Sequence, residues 1–295
     1  MVVLLAGASG FLGTALAQRL RDNGHTTRRL VRSDPGPDDV GWDPYQGDLP
    51  AEALVGVDAV VNLAGAPIAH WPWTSAYRKV LRDSRVQTTE TIASALAGLD
   101  EPPALVNASA IGYYGTDRGD DDLDEQSARG DGFLAGVVEQ WEAATRPVSE
   151  AGGRVVLLRT AVVLDDAGGA LKVMKLPFSL GVGGRLGNGR QWFSTISLDD
   201  WVSAVVRAVT DEDMSGPYNL AAPEPATNAE LTRLLGEMLH RPTVLRVPAF
   251  ALKALLGELS GEVLGSLKVR PTRLLESGFE FAHPDLESEL RAALH

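Results

Sequence analysis

The 295-residue chain has no cysteine. That excludes a disulfide framework, a thiolate nucleophile and a zinc site of the cysteine type. Basic charge is short as well. The 39 acidic residues outnumber 27 basic ones, for a formal charge of −12, which argues against nucleic acid or an anionic membrane surface as the main partner. Only five of the 27 basic side chains are lysines, a bias to which no function is assigned. No apolar run approaches the roughly 20 residues of a membrane span, and with a strand-like segment starting at Val2 no signal peptide is expected. Residues 119–132 (GDDDLDEQSARGDG) are acidic but not spaced as an EF-hand loop, so they read as a solvated charge run and no metal site is expected. The expectation is a cytoplasmic protein off the membrane, monomer or homodimer, whose partner is a small molecule.

What is present is concentrated at the start. Residues 2–6 (VVLLA) suit a buried parallel strand, and Phe11, Leu12, Ala15, Leu16 and Leu20 recur at helical spacing. Between them Gly7, Gly10 and Gly13 turn the strand into a helix. Glycine permits the tight turn and close backbone approach, and the unpaired N–H groups of the helix start face an anionic pyrophosphate. The spacing is GxxGxxG, in the strand–turn–helix context that a dinucleotide fingerprint requires. A second strand over residues 25–31 ends at Arg32-Ser33, where such folds distinguish NAD from NADP. Arg28, Arg29 and Arg32 crowd it, and Arg32 lies nearest the carboxyl end, so a guanidinium there favours a 2′-phosphate and NADP(H). Asp34 competes with that reading, since it can serve NAD.

A short candidate strand at 40–43 and a strand at 58–63 follow, and the alternation of strands with helices implies right-handed parallel crossovers. Leu63-Ala64-Gly65 end the second of these at the same sheet edge as the glycine turn, and their small side chains admit a cofactor ribose. Residues 73–97 read as a long helix in which Arg85 is either a solvated charge or turned toward the cofactor. A strand at 104–108 runs into Ser109-Ala110-Ile111-Gly112-Tyr113-Tyr114-Gly115. There Ser109 can hydrogen-bond a substrate oxygen, and Tyr113 or Tyr114 can pass it a proton if the phenol pKa is lowered. A serine cap and packed tyrosines are the alternative.

Residues 133–151 read as one helix, and residues 154–164 (RVVLLRTAVVL) as one strand, the most apolar and the central one, whose exit at 160–163 passes the nicotinamide end. Glycine punctuation over 165–189 suggests substrate-side loops or a small second domain, with Arg185 and Arg190 either meeting an anionic substrate or lying on the loop surface. A strand at 191–198, a helix capped by Asp199-Asp200, a strand at 216–221, a helix opened by Thr227 with Glu230, a helix at 250–256 and an amphipathic tail at 284–294 complete the chain. The expected division is an NADP-binding Rossmann-like domain, residues 1–164 and 190–222, and a smaller substrate-side region, residues 165–189 and 223–295.

GASGFLG, DAVVNLAG, Ser109 and GPYNLA together resemble the extended short-chain dehydrogenase/reductases of the NAD(P)-dependent epimerase/dehydratase type. PIAHWPWT, DSRVQTT, SAIGYYG, LRTAVVLDDAGGAL, PFSLGVGGRLGNGRQ and ESGFEF narrow the likeness to the atypical branch called epimerase family proteins, over nearly the whole chain. The resemblance implies an α/β fold, a doubly wound parallel sheet with a smaller C-terminal region, binding NADP(H). It places the cofactor against Gly7, Ser9, Gly10, Phe11, Leu12, Gly13, Arg32, Ser33, Leu63, Ala64, Gly65, Arg85 and Val162.

One departure matters more than any match. Typical members of the larger family carry a Tyr-x-x-x-Lys pair at the start of the helix after the serine, the lysine lowering the phenol's pKa. With the register set by Val138-Glu139-Gln140, Asp131 stands in place of the tyrosine and Ala135 in place of the lysine. Likewise Ser194-Thr195-Ile196-Ser197 stand where the branch tends to have a Trp and a His. The expected function is an NADP(H)-binding oxidoreductase or epimerase acting on a small hydroxyl or carbonyl compound, nucleotide-sugar-like compounds among the candidates. The alternative is a non-catalytic NADP(H) sensor or regulatory protein.

Overall fold

Apolar runs bounded by glycine turns put one parallel sheet at the centre of the molecule. The computed structural model describes residues 1–37 and 39–294. Its sheet comprises β1 (Val2–Ala6), β2 (Thr26–Val31), β3 (Asp39–Gly41), β4 (Ala59–Asn62), β5 (Ala104–Ala110), β6 (Val155–Thr160) and β7 (Gly216–Leu220), in the order β3-β2-β1-β4-β5-β6-β7, every pair parallel. The chain starts in the middle and winds first one way, then the other. The switch of direction falls between β1 and β4, and doubly wound sheets bind ligands in the crevice outside the strand carboxyl ends at that point.

Both faces of the sheet are covered. On one, α1 (Phe11–Asp22) and α6 (Leu198–Thr210) bury Leu16, Leu20, Trp201 and Val205 against Val3, Leu5, Val61 and Val106. On the other, α2 (Ser75–Ala97) packs Ile92 and Leu96 with Trp42, Leu54 and Val148 against Leu4, Val60 and Leu105. A separate core joins α5 (Gly169–Ser179), α7 (Asn228–Met238) and α11 (Leu286–Leu294) through Leu171, Phe178, Leu231, Leu235 and Leu290. The remaining helices are α3 (Phe133–Ala143), α4 (Arg146–Glu150), α8 (Ala249–Leu256), α9 (Ser260–Leu264) and α10 (Thr272–Glu276). No helix among the described residues is long and apolar enough to cross a membrane.

Six expectations need correction. RVVLLRTAVVL is two strands: β6 ends at Thr160, and residues 162–164 swing away to pair with Thr195–Ser197. Nor is β6 central; it lies second from the edge, and its apolarity reflects burial on both faces. Residues 133–151 form two helices, because Pro147, which has no N–H to donate, starts α4 afresh. The 191–198 segment divides around Ser194, whose hydroxyl donates to the Leu267 carbonyl and accepts from the Val269 N–H. The acidic stretch is not simply solvated: Asp122–Leu123 pairs with Lys268–Val269, and buried Glu125 accepts the backbone N–H of Asn219. At the start of α6 the cap is Ser197, accepting from the Asp200 N–H, with Asp199 and Asp200 in the first turn.

Candidate functional site

The carboxyl ends of the central strands open on a cleft of two connected cavities. One, of about 560 Å³, lies beside β2 and is lined by Ser9, Arg32, Ser33, Trp42 and Tyr45. The other, of about 510 Å³, reaches over β5 and β6 and is lined by Phe11, Leu12, Gly13, Arg85, Ser109 and Val162. Gly7, Gly10, Leu63, Ala64 and Gly65 line both. Every residue that the resemblance gave to the cofactor thus meets in one crevice.

The glycine turn is built by close backbone approach. Gly7 has φ +79°, and a Cβ there would stand 2.7 Å from the Leu63 carbonyl carbon; one on Gly13 would press into the Gly7 carbonyl oxygen. Gly10 donates its N–H to the Gly7 carbonyl at 3.1 Å and caps α1 with no side chain of its own. No side chain therefore competes for the first N–H groups of α1, where the helix dipole favours an anion.

At the other end of this turn the three arginines separate. Arg28 donates to the Ala53 and Val55 carbonyls, while Arg29 forks onto Asp39 at 2.6 and 2.8 Å and holds that carboxyl below the usual carboxylate range. Arg32, on the cavity wall, makes no hydrogen bond or ion pair with a described residue. Asp34 is exposed at φ +50° and lines neither cavity.

Beneath Leu63 and Ala64 lies a polar network that sequence reasoning missed. Asn62 donates to Thr89 Oγ1 at 2.9 Å and Asn107 Oδ1 at 2.8 Å, and accepts the Ala64 N–H at 3.2 Å. Trp141 Nε1 donates to the same Thr89 hydroxyl at 3.0 Å. All four side chains are buried, and buried polar groups are stable only when paired. The signal was an asparagine inside each of two apolar strands, in DAVVNLAG and ALVNASA.

Arg85 turns inward. Its guanidinium donates to the Leu81 and Ala66 carbonyls at 3.0 Å each, lies 5.2 Å from the centre of the Trp141 ring, and has no carboxylate partner among the described residues. Burial pushes its pKa down to about 10, so it remains cationic at neutral pH. A Cβ on Gly65 would meet this guanidinium at 3.2 Å, which ties the two residues into one wall. Donors, a bare helix start and two guanidiniums with no carboxylate partner among the described residues, along one crevice, fit a nicotinamide dinucleotide.

The expected proton-transfer residues are placed differently. Ser109 lines the cleft, but its hydroxyl donates to Glu142 Oε1 at 2.5 Å. Arg159, beside Ser109 in the strand register, clamps Glu142 with two bonds of 2.9 Å and stacks 3.5 Å over the Tyr113 ring. Tyr114 is fully buried, donating to Asn219 Oδ1 at 2.8 Å and accepting from Arg159. Burial raises its phenol to about 12, away from proton exchange near neutrality. Neither tyrosine lines either cavity, and as proton donors to the cleft both are set aside: the turn of residues 111–114 carries them beneath the site. Asp131 and Ala135 line an adjoining cavity.

Comparison with known proteins gives the family of the chain. Residues 3–131 match the NAD dependent epimerase/dehydratase family, and residues 247–293 match a domain of unknown function, DUF1731. The chain is 45% identical to epimerase family protein Mb2239 of Mycobacterium bovis over 284 residues, 96% of this chain and 94% of that one. The crystal structure of human epimerase family protein SDR39U1 (isoform 2) with NADPH superposes with a TM-score of 0.91 at 35% identity, over 99% of each chain. A nucleoside-diphosphate sugar epimerase from Corynebacterium glutamicum superposes with a TM-score of 0.84 at 35% identity, over all of this chain and 58% of that one.

Proposed function

The chain belongs to the epimerase family proteins of the NAD-dependent epimerase/dehydratase family, and on that premise we propose that it is an NADP(H)-dependent oxidoreductase or epimerase acting on a small hydroxyl or carbonyl compound. The observation that carries the choice of cofactor is the contrast at the adenosine end. Arg32, on the cavity wall, has no partner among the described residues, whereas Arg28 and Arg29 are committed elsewhere and Asp34 lies outside the cleft. An unpaired guanidinium matches a 2′-phosphate, and a carboxylate would match ribose hydroxyls. The human relative that was crystallised with NADPH supports the same reading.

When bound, the cofactor supplies or accepts the hydride. The chain's part is to hold and orient. Gly7 to Gly13 would seat the pyrophosphate, Leu63 to Gly65 a ribose, and Arg85 and Val162 the inner half. Ser109, with its proton committed to Glu142, would accept a hydrogen bond from a substrate hydroxyl and so orient its oxygen. Arg32→Ala should weaken NADPH binding by roughly 10-fold or more, the scale of a charge-assisted bond of about 1.5–3 kcal/mol, and leave NADH binding within twofold. Calorimetry with both cofactors decides it, and equal losses would remove Arg32 from the phosphate.

A second reading, an NADP(H)-responsive regulatory protein without catalysis, is favoured by Asp131 and Ala135 and by the burial of Tyr114. It requires a protein partner whose affinity differs between the NADPH- and NADP-bound forms; hydride transfer to any carbonyl compound, weakened by Ser109→Ala, would exclude it.

A further inference from the structure

Leu134, which lines the 510 Å³ cavity, also lines a further cavity of about 340 Å³. Its walls come from four distant parts of the chain: Trp73 and Arg78 about the start of α2, Gly115 and Thr116, residues 131–135 at the start of α3, and Gly261 and Glu262 on α9. The Trp73 and Phe133 rings meet edge to face with centres 6.0 Å apart, and the Arg78 guanidinium lies 5.0 Å above Phe133. An aromatic wall with polar groups around it suits a polyhydroxylated ring or chain, which presents both C–H faces and hydroxyls. Glu262 is half-buried on this wall and makes no hydrogen bond or ion pair with a described residue. The other charged side chains sharing the cavity are Arg78 and Asp131.

We propose that this cavity takes the substrate, a small polyhydroxylated compound carrying a secondary alcohol or ketone, and that Glu262 is the group that exchanges a proton with it. The inference rests on the NADP(H)-dependent oxidoreductase reading above. In the oxidative direction the substrate C–H bond breaks with its electron pair, and the hydride passes to the oxidised nicotinamide cofactor. The O–H bond breaks, its proton goes to the Glu262 carboxylate, and the C=O bond forms. Reduction runs the same transfers backwards, with protonated Glu262 as the acid. A carboxyl with no bonded partner is disfavoured in its ionised form when buried, and burial pushes Glu262 up to about 7. Both forms are then populated at neutral pH, as acid–base exchange in both directions requires. This also accounts for a cleft in which residues 131 and 135 offer no tyrosine or lysine: the α9 carboxyl borders the same cavity from the opposite end of the chain.

The test uses the full-length chain and Glu262→Gln, with NADPH and the ketoses dihydroxyacetone, L-erythrulose, D-ribulose and D-fructose as probes. NADPH affinity should be the same in both proteins. Reduction of at least one ketose should show a break in kcat near pH 7, and Glu262→Gln should lower kcat by roughly 10²-fold or more and abolish the break. Carbon-13 NMR of the glutamate carboxyls should show one titration near pH 7 that is missing from Glu262→Gln. The proposal is overturned if Glu262 titrates as an ordinary carboxyl, if the variant keeps its kcat within threefold, or if NADPH-bound protein reduces none of the ketoses. Failure of the wild-type chain to bind NADPH at all is a separate result, and it overturns the cofactor reading together with this one.

Discussion

Side chain by side chain, the site divides into groups that face the cleft and groups that hold it in shape. Arg159 belongs to the second kind. Burial alone would lower its pKa, but Glu142 and Tyr114 more than reverse that and hold it above the ordinary range. With 5% and 11% of their side chains exposed, Arg159 and Glu142 form a buried pair whose disruption from one side strands the other charge. Arg159→Met is therefore expected to lower stability by about 3–5 kcal/mol, and the double variant Arg159→Met/Glu142→Leu should recover most of that loss. Urea unfolding measures both; a single-variant loss under about 1 kcal/mol would show that the pair behaves as a surface salt bridge. This cluster also shows what a sequence hides. Gly7 and Gly13 were legible because the turn itself makes a local demand of each: a positive φ at Gly7, and at Gly13 no room for a Cβ beside the Gly7 carbonyl oxygen. The placement of Tyr113 and Tyr114 was not legible because it involves Arg159, which contacts both rings, and Asn219, 45 and 105 residues beyond Tyr114. Glu262 left no signal, since only the fold brings it beside residues 131–135.

Secondary-structure elements read well where one period ruled and poorly where a tertiary partner interrupted it. The sheet strands and α1, α2 and α6 followed from apolar patterning, whereas the breaks at Ala161 and Ser194 come from pairing between distant short strands. The last helix carries the sharpest consequence. Glu289 on α11 is fully buried, with one oxygen accepting from Thr195 Oγ1 at 2.5 Å and the other without a partner among the described residues. Burial first, then the nearby Asp200 and Asp285 against the opposing Thr195 bond, raise its pKa from 4.5 to about 8. Below pH 4.5 the group is protonated whether the chain is folded or not. Between there and about pH 8 the unfolded chain ionises while the folded one keeps the proton, so stability falls as pH rises through that window. The decline is at most about 1.4 kcal/mol per pH unit. Glu289→Gln, which cannot ionise, should flatten the difference in urea midpoint between pH 5.5 and pH 7.5; an unchanged slope would assign the pH dependence to other groups.

In the molecule as a whole, the C-terminal stretch is inserted into the sheet's own core and does not merely rest against it. Leu274 is fully buried among the residues of β1, β6 and α6, with Phe279 and Phe281 packed against the same cluster. Arg207 on α6 donates to the Ser277 carbonyl at 2.7 Å, and Asp200 accepts the N–H groups of Ala282 and His283 at 2.7 and 2.9 Å. On the β7 side, Asn219 donates to the Arg270 carbonyl, and Glu125 accepts the N–H of Asn219 while lying at 3.4 Å from that of Arg273. A chain ending after residue 240 would lose every partner that lies beyond it at once. Asp200 would be left as a buried carboxylate with only the Ser197 hydroxyl as donor, and the place of Leu274 as a cavity, each a loss of several kcal/mol. Against a total stability of about 5–15 kcal/mol for a domain, that is enough to unfold the sheet. Residues 1–240 expressed alone should accordingly show no cooperative thermal transition and bind no NADPH, although every residue of the glycine turn, Arg32 and Arg85 is retained. A truncated chain that melts cooperatively and binds NADPH like the full one would mean that the dinucleotide half folds by itself and that the tail serves only the substrate side.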